Sequence, residues 1–261
     1  MRHTLQALLF DVDGTLADTE RHGHLPAFNE AFAAAGLDWH WSPELYEELL
    51  KVGGGRERIC FYLREFRPDA VPDERAADDL VARLHADKNR RYAAAVAAGR
   101  VRLRPGVERL LREAAAEGLR PAIVTTTSPE NLEALLRAAP GAAGLPGFEV
   151  VVTGDSVTAK KPAPEAYLLA LERLRLEPEA CLAVEDSGIG LRAALAAGVP
   201  TLVTVSEFSA HDDFSGAAAV VDGLGEPDAP MCVLAGDLGG AAFVDVAALR
   251  GLHGRALHAQ G

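Results

Sequence analysis

The chain has 261 residues, a net charge of −12 and 49% hydrophobic residues, with a pI near 5.1. That length fits one large domain, or one domain carrying a smaller one, and the apolar share allows a sizeable core. The acidic balance argues against general binding to nucleic acid or a membrane surface, both of which select basic proteins.

Ala7–Phe10 is a short apolar run closed by Asp11 and Asp13, the pattern of a buried strand that ends in a polar turn. Four similar runs follow at Ala122–Val124, Phe148–Val152, Cys181–Val184 and Thr201–Val205. Helical patterns lie between them. Val107–Glu117 is bounded by Pro105 and Gly118. Glu130–Ala139 follows Ser128 and Pro129, an N-cap and a first-turn proline. Glu165–Leu174 follows Pro164, and Leu191–Ala197 stops at Gly198. Strands alternating with helices predict an α/β fold, a Rossmann-like parallel sheet covered on both faces.

Residues 18–98 break that rhythm, with helical stretches at Leu25–Ala35, Pro43–Val52, Arg56–Glu65 and Glu74–Ala98 and no convincing strand. They are expected to form a small all-helical cap inserted after the first strand, leaving 1–17 and 99–261 as the catalytic core. From Asp222 onward the signals are weak, and Phe243–Leu249 reads equally as strand or helix. Cys60, Cys181 and Cys232 have no zinc or CxxC spacing, so a reducing cytoplasm is the expected location. No apolar run is long enough to span a bilayer, and no signal peptide is expected before the acidic motif.

In a parallel sheet, ligands bind beyond the carboxyl ends of the strands. There the chain places Asp11-Val12-Asp13-Gly14-Thr15, then Thr125-Thr126-Thr127-Ser128, then Lys160-Lys161-Pro162, then Glu185-Asp186. Carboxylates suit Mg2+, while a lysine and a hydroxyl stabilise a transferring phosphoryl group. Asp11 and Asp13, two apart at a strand end, share one face and can address one phosphoryl group. The alternatives for DxDG are a plain turn or part of a calcium loop, and the flanking strand and missing ligand series argue against both. Glu185 and Asp186 could instead be an acidic pair at a helix start.

These four motifs, DVDGT, a threonine after an apolar strand, KKPAPE and VEDS, resemble in order and strand context those of the haloacid dehalogenase superfamily of phosphohydrolases. The resemblance implies Asp11 as nucleophile, Asp13 as acid and base, and Thr125 and Lys161 as partners of the phosphoryl oxygens. It also implies Mg2+ held by Asp11, the Asp13 carbonyl and Asp186, with Glu185 binding or orienting nearby. Because Asp13 must be protonated at attack, its pKa is expected to be raised.

The helical insert resembles the beta-phosphoglucomutase-like branch, and most closely its CbbY-type phosphatases, through DTE followed by HxxAFN, GG followed by ERI, and VTTTS. That resemblance implies hydrolysis of a small sugar bisphosphate, xylulose 1,5-bisphosphate; a monomer is expected, and the acidic charge implies no nucleic-acid or membrane partner. A bisphosphate needs a second anion site, for which Arg56, Arg58 and Lys88 are candidates. Glu20, His24, Gly54, Thr126 and Thr127 complete the expected substrate contacts. The stretch Glu20 to His24 is one residue longer than the usual spacing, so either His22 or His24 faces the site. The alternatives are a sugar phosphate mutase on the same two aspartates and a phosphoglycolate-type phosphatase.

Overall fold

The computed structural model describes residues 4–70, 73–139, 141–142 and 145–259. Seven strands form one sheet: β1 (Ala7–Phe10), β2 (Arg120–Val124), β3 (Val150–Val152), β4 (Cys181–Glu185), β5 (Thr201–Thr204), β6 (Ala219–Val221) and β7 (Val233–Gly236). Their order is β3-β2-β1-β4-β5-β6-β7. All neighbours are parallel except β6 and β7. The five expected strands are present, and two more follow them: β6 just before Asp222, where no strand was expected, and β7 within the weakly patterned C-terminal part. Phe243–Leu249 resolves in favour of helix, since its second half opens a helix over Val246–Ala259.

Among the described residues, the segment from 18 to 98 holds helices and no named strand. A π-helical turn over Glu20–His24 leads into α1 (Leu25–Ala34), followed by α2 (Pro43–Leu49), α3 (Gly55–Phe66) and α4 (Glu74–Ala97). The helices of the sheet layer are α5 (Val107–Ala116), α6 (Pro129–Ala138), α7 (Glu165–Leu174), α8 (Gly188–Ala196) and α9 (Val246–Ala259).

The period-two alternation of strand residues divides the sheet core into two layers. Leu8, Phe10, Ile123, Leu182 and Val184 pack with α5, α6 and α9 on one face. Ala7, Leu9, Ala122, Val124, Cys181 and Ala183 pack with α7 and α8 on the other. Burial on both faces explains why these strands are almost wholly apolar. A third cluster holds the helical segment together around Phe28, Phe32, Trp41, Tyr46, Ile59 and Leu84, and Phe208 from the loop after β5 joins it.

Strand order sets the position of the site. From β1 the chain moves outward through β2 to β3, then returns to the opposite side of β1 to lay down β4 and β5. The connections therefore diverge between β1 and β4, which opens a crevice at their carboxyl ends. Phe10 pairs with Val184 and with Ile123, so Asp11 emerges beside Glu185 and Val124.

Candidate active site

A cleft of about 400 Å³ lies over that crevice. Asp11, Asp13, Thr126, Thr127, Lys161 and Asp186 line it from the sheet side. Glu20, His24, Gly54, Arg58 and Lys88 line it from the helical side.

At its floor, the buried Lys161 ammonium donates to Asp11 Oδ1 at 2.7 Å, Glu185 Oε1 at 2.6 Å and the Val124 carbonyl at 2.8 Å. Burial lowers the lysine pKa, but the Asp11 and Glu185 charges outweigh it and hold the group cationic. Lys160 also lines the cleft, but it donates to Glu57 of α3 at 2.7 Å rather than to Asp11. Asp11 is pushed well above the usual carboxylate range by burial, opposed by Lys161 and reinforced by the Glu185, Asp186 and Asp13 charges. Asp186 is pushed up to about 8, chiefly by burial, with Ser206 and Arg104 opposing and Glu185 and Glu20 adding.

Carboxylate oxygens of Asp11, Glu185 and Asp186 lie within 4.8 Å of one another. Such crowding of buried acids is unfavourable unless a cation joins them, and hard oxygen ligands suit Mg2+. Glu185 is fully buried, and its second oxygen has no hydrogen-bond partner among the described residues. That oxygen rests against Gly190, where a Cβ would overlap it. Glu185 also accepts from the Tyr167 hydroxyl. The residues present therefore fit a divalent cation.

Thr125 is buried at the end of β2, its backbone N–H bound to Val152 O and its hydroxyl oxygen accepting from Thr127 N at 3.1 Å. It shapes the turn that carries Thr126 and Thr127 into the cleft, and it is absent from the lining itself.

Two expectations are corrected. Asp13 is not raised. Burial pushes it up, but the His24 charge and its hydrogen bond, 3.0 Å from Nε2 to Oδ1, prevail and hold it at about 2. Arg56 does not reach the cleft. Its side chain is 53% exposed and lies 3.7 Å from Asp78, on an outer depression with Cys60 and Arg64. The reason is helical geometry: residues two apart are rotated by about 200°, so Arg56 and Arg58 cannot face the same side of α3. Arg58 is the one turned inward.

The choice between His22 and His24 is also resolved. His22 is exposed, while His24 is buried and stacked on Tyr92 with ring centroids 4.1 Å apart. The π-helical turn, with its wider i→i+5 closure, takes up the extra residue and rotates His24 onto Asp13. Lys88 is buried over the faces of Phe28 and Tyr92, at 5.0 and 5.4 Å. Burial pulls its ammonium down to about 8, with the Glu20 and Asp13 charges opposing.

Several residues at the site carry no motif signal. Arg104 donates to the carbonyls of Gly14, Thr204 and Val205, tying the first turn to the end of β5. Ser206 hydrogen-bonds Asp186. Tyr167 was readable only as a polar-tipped residue on an otherwise apolar helix face.

The sequence model of the haloacid dehalogenase-like hydrolases matches residues 5–198, and the chain belongs to that family. It is a phosphatase of the superfamily. Protein CbbY (plasmid) of Cupriavidus necator is 52% identical over 251 residues, covering 95% of this chain and 97% of its own. The phosphorylated carbohydrates phosphatase of Thermotoga maritima is 30% identical over 204 residues, covering 77% and 85%. A crystal structure of a CbbY variant from Rhodobacter sphaeroides in complex with xylulose-(1,5)bisphosphate superposes with a TM-score of 0.77 at 42% identity, covering 93% of this chain and all of that one.

Proposed function

We propose that the chain hydrolyses a small sugar bisphosphate, xylulose 1,5-bisphosphate foremost, through a phosphorylated Asp11. The observation that carries this reading is the contact of Asp11 with the Lys161 ammonium at 2.7 Å, at the floor of a cleft whose opposite wall presents Lys88 and Glu20. The bisphosphate held by the Rhodobacter CbbY supports the substrate class.

In this scheme Asp11 attacks phosphorus and forms a P–O bond as the P–O bond to the sugar breaks. The sugar oxygen keeps the electron pair and takes a proton from Asp13. Water then attacks the phosphoryl-aspartate, Asp13 accepts a proton from it, and Asp11 is released with inorganic phosphate. The 3.0 Å hydrogen bond to His24 Nε2 gives Asp13 a partner for proton exchange during the two steps. Lys161 offsets charge on the phosphoryl oxygens, and Thr126 and Thr127 offer donors beside them. Asp11, Asp186, Glu185 and the Asp13 carbonyl would hold Mg2+, which when bound lowers the repulsion between carboxylate and phosphate. Residues 18–98 act as the cap, and Lys88 supplies the cation for the distal phosphate.

A phosphate-release screen over sugar mono- and bisphosphates, with Mg2+ and with chelator, tests the reading. Xylulose 1,5-bisphosphate should be the fastest substrate, and Asp11→Asn should remove turnover while circular dichroism remains native. A folded Asp11→Asn protein with substantial activity would refute the mechanism. Faster release from glucose monophosphates or phosphoglycolate would refute the substrate alone.

A further inference from the structure

A buried relay stands behind Glu20. Arg58 donates from Nη1 to the Tyr46 hydroxyl at 2.8 Å, and that hydroxyl lies 2.5 Å from Glu20 Oε2. The direction follows from chemistry. Guanidinium has donors only, so the tyrosine oxygen accepts from Arg58 and its own proton points to the carboxylate. Arg58 is in turn held by the carbonyls of Leu49 and Val52, at 3.3 and 3.5 Å, with its guanidinium 5.1 Å from the centre of the Tyr46 ring. Three of its five N–H donors are thereby used on the protein, including the one aimed at Tyr46.

Tyr46 itself is fully buried. Its ring packs against Trp41 and Phe28 and, edge-on, against Phe208. Burial keeps the phenol protonated, with the Arg58 charge opposing and the Glu20 charge adding. Among the described residues, Tyr46 is the one hydrogen-bond partner of the Glu20 side chain. The other Glu20 oxygen is left for the cleft, which the residue lines. A carboxylate there repels phosphate and accepts from a hydroxyl.

We propose that Tyr46, held by Arg58, is a positioning residue that fixes the Glu20 carboxylate as the acceptor of a substrate hydroxyl. Polyhydroxylated phosphate esters are thereby selected over esters without a hydroxyl. This rests on the sugar-phosphatase reading above.

The test compares wild type, Tyr46→Phe, Glu20→Ala, Glu20→Gln and the Tyr46→Phe/Glu20→Ala double variant on the best sugar phosphate of the screen and on acetyl phosphate, which has no hydroxyl. Phenylalanine keeps the packed ring, and thermal melts verify folding. Tyr46→Phe should lower kcat/KM for the sugar phosphate about ten- to a hundredfold, mostly through KM, and change acetyl phosphate turnover less than about threefold. On the Glu20→Ala background the same change should add less than about twofold. Glu20→Gln, which keeps an acceptor oxygen for Tyr46, should recover part of the loss of Glu20→Ala. Equal losses on both substrates, an unchanged sugar phosphate rate, or full additivity would overturn the proposal. A wild type active on acetyl phosphate and on no sugar phosphate would overturn the function reading and this proposal with it.

Discussion

Gly14 turns the chain away from Asp13 with a φ of +88°, a region open to glycine and costly for other residues. A Cβ at this position would also overlap the Asp186 carboxylate. One residue thus keeps the first and last acidic motifs in contact. Gly14→Ala should cost about 1–3 kcal/mol from backbone strain, before any displacement of Asp186. Activity should fall at least about a hundredfold, because a misplacement of about 1 Å is expensive at a reacting centre. Urea unfolding and phosphate release check the two effects separately. At the same scale, Asp13 shows what the motif could not convey. Its spacing identified the carboxylate, but its low pKa comes from His24, eleven residues away and turned inward by the π-helical turn.

Helix α4 carries Lys88 near the middle of its 24 residues. It starts at Asp73, whose carboxylate accepts from Ala76 N at 2.8 Å. That cap satisfies one of the free N–H groups of the first turn. Asp73→Ala should lower stability by about 1 kcal/mol in urea titration while leaving kcat/KM within about twofold. A larger loss of activity would mean that the far end of α4 sets the position of Lys88. Helix α3 teaches the complementary lesson. GGGRER reads as a run of candidate anion-binding groups, but the helical rotation sends Arg56 outward and Arg58 inward. Position within the helix decides which of them acts.

At the scale of the whole molecule, the divergence of connections between β1 and β4 gathers Asp11, Glu185 and Asp186, and their burial, reinforced by mutual repulsion, makes stability depend on pH and on cation. The unfolded chain releases the Asp186 proton near pH 4, whereas the folded protein keeps it up to about 8. Between those values the folded state binds more protons, so its stability falls as pH rises. Asp13 acts in the opposite sense: held at about 2, it contributes stability above about pH 4 that is lost as pH drops towards 2. In chelator, the melting temperature should therefore decline between about pH 5 and pH 8. Saturating Mg2+ should raise it more at the upper value than at the lower, since a bound cation favours the ionised cluster. A Mg2+ shift that is absent, or equal at both pH values, would argue against cation binding at these carboxylates.

The order of apolar runs and polar strand ends was enough, from the sequence alone, to define an α/β sheet and to bring Asp11, Asp13, Lys161 and Asp186 to one edge of it. Strand burial and the switch in connection direction follow from local pattern and chain topology, and both can be read along a single line of residues. β6 and β7 were not readable, because Ala219–Val221 has only three residues and Val233–Gly236 is exposed throughout. Neither stands out from the Gly- and Ala-rich stretch around it. Only the tertiary structure decided which histidine meets Asp13, which arginine of α3 turns inward, and that Tyr46 stands behind Glu20. Each of these depends on the rotation of a helix relative to the sheet, a quantity set by packing between distant segments rather than by any residue's neighbours in sequence.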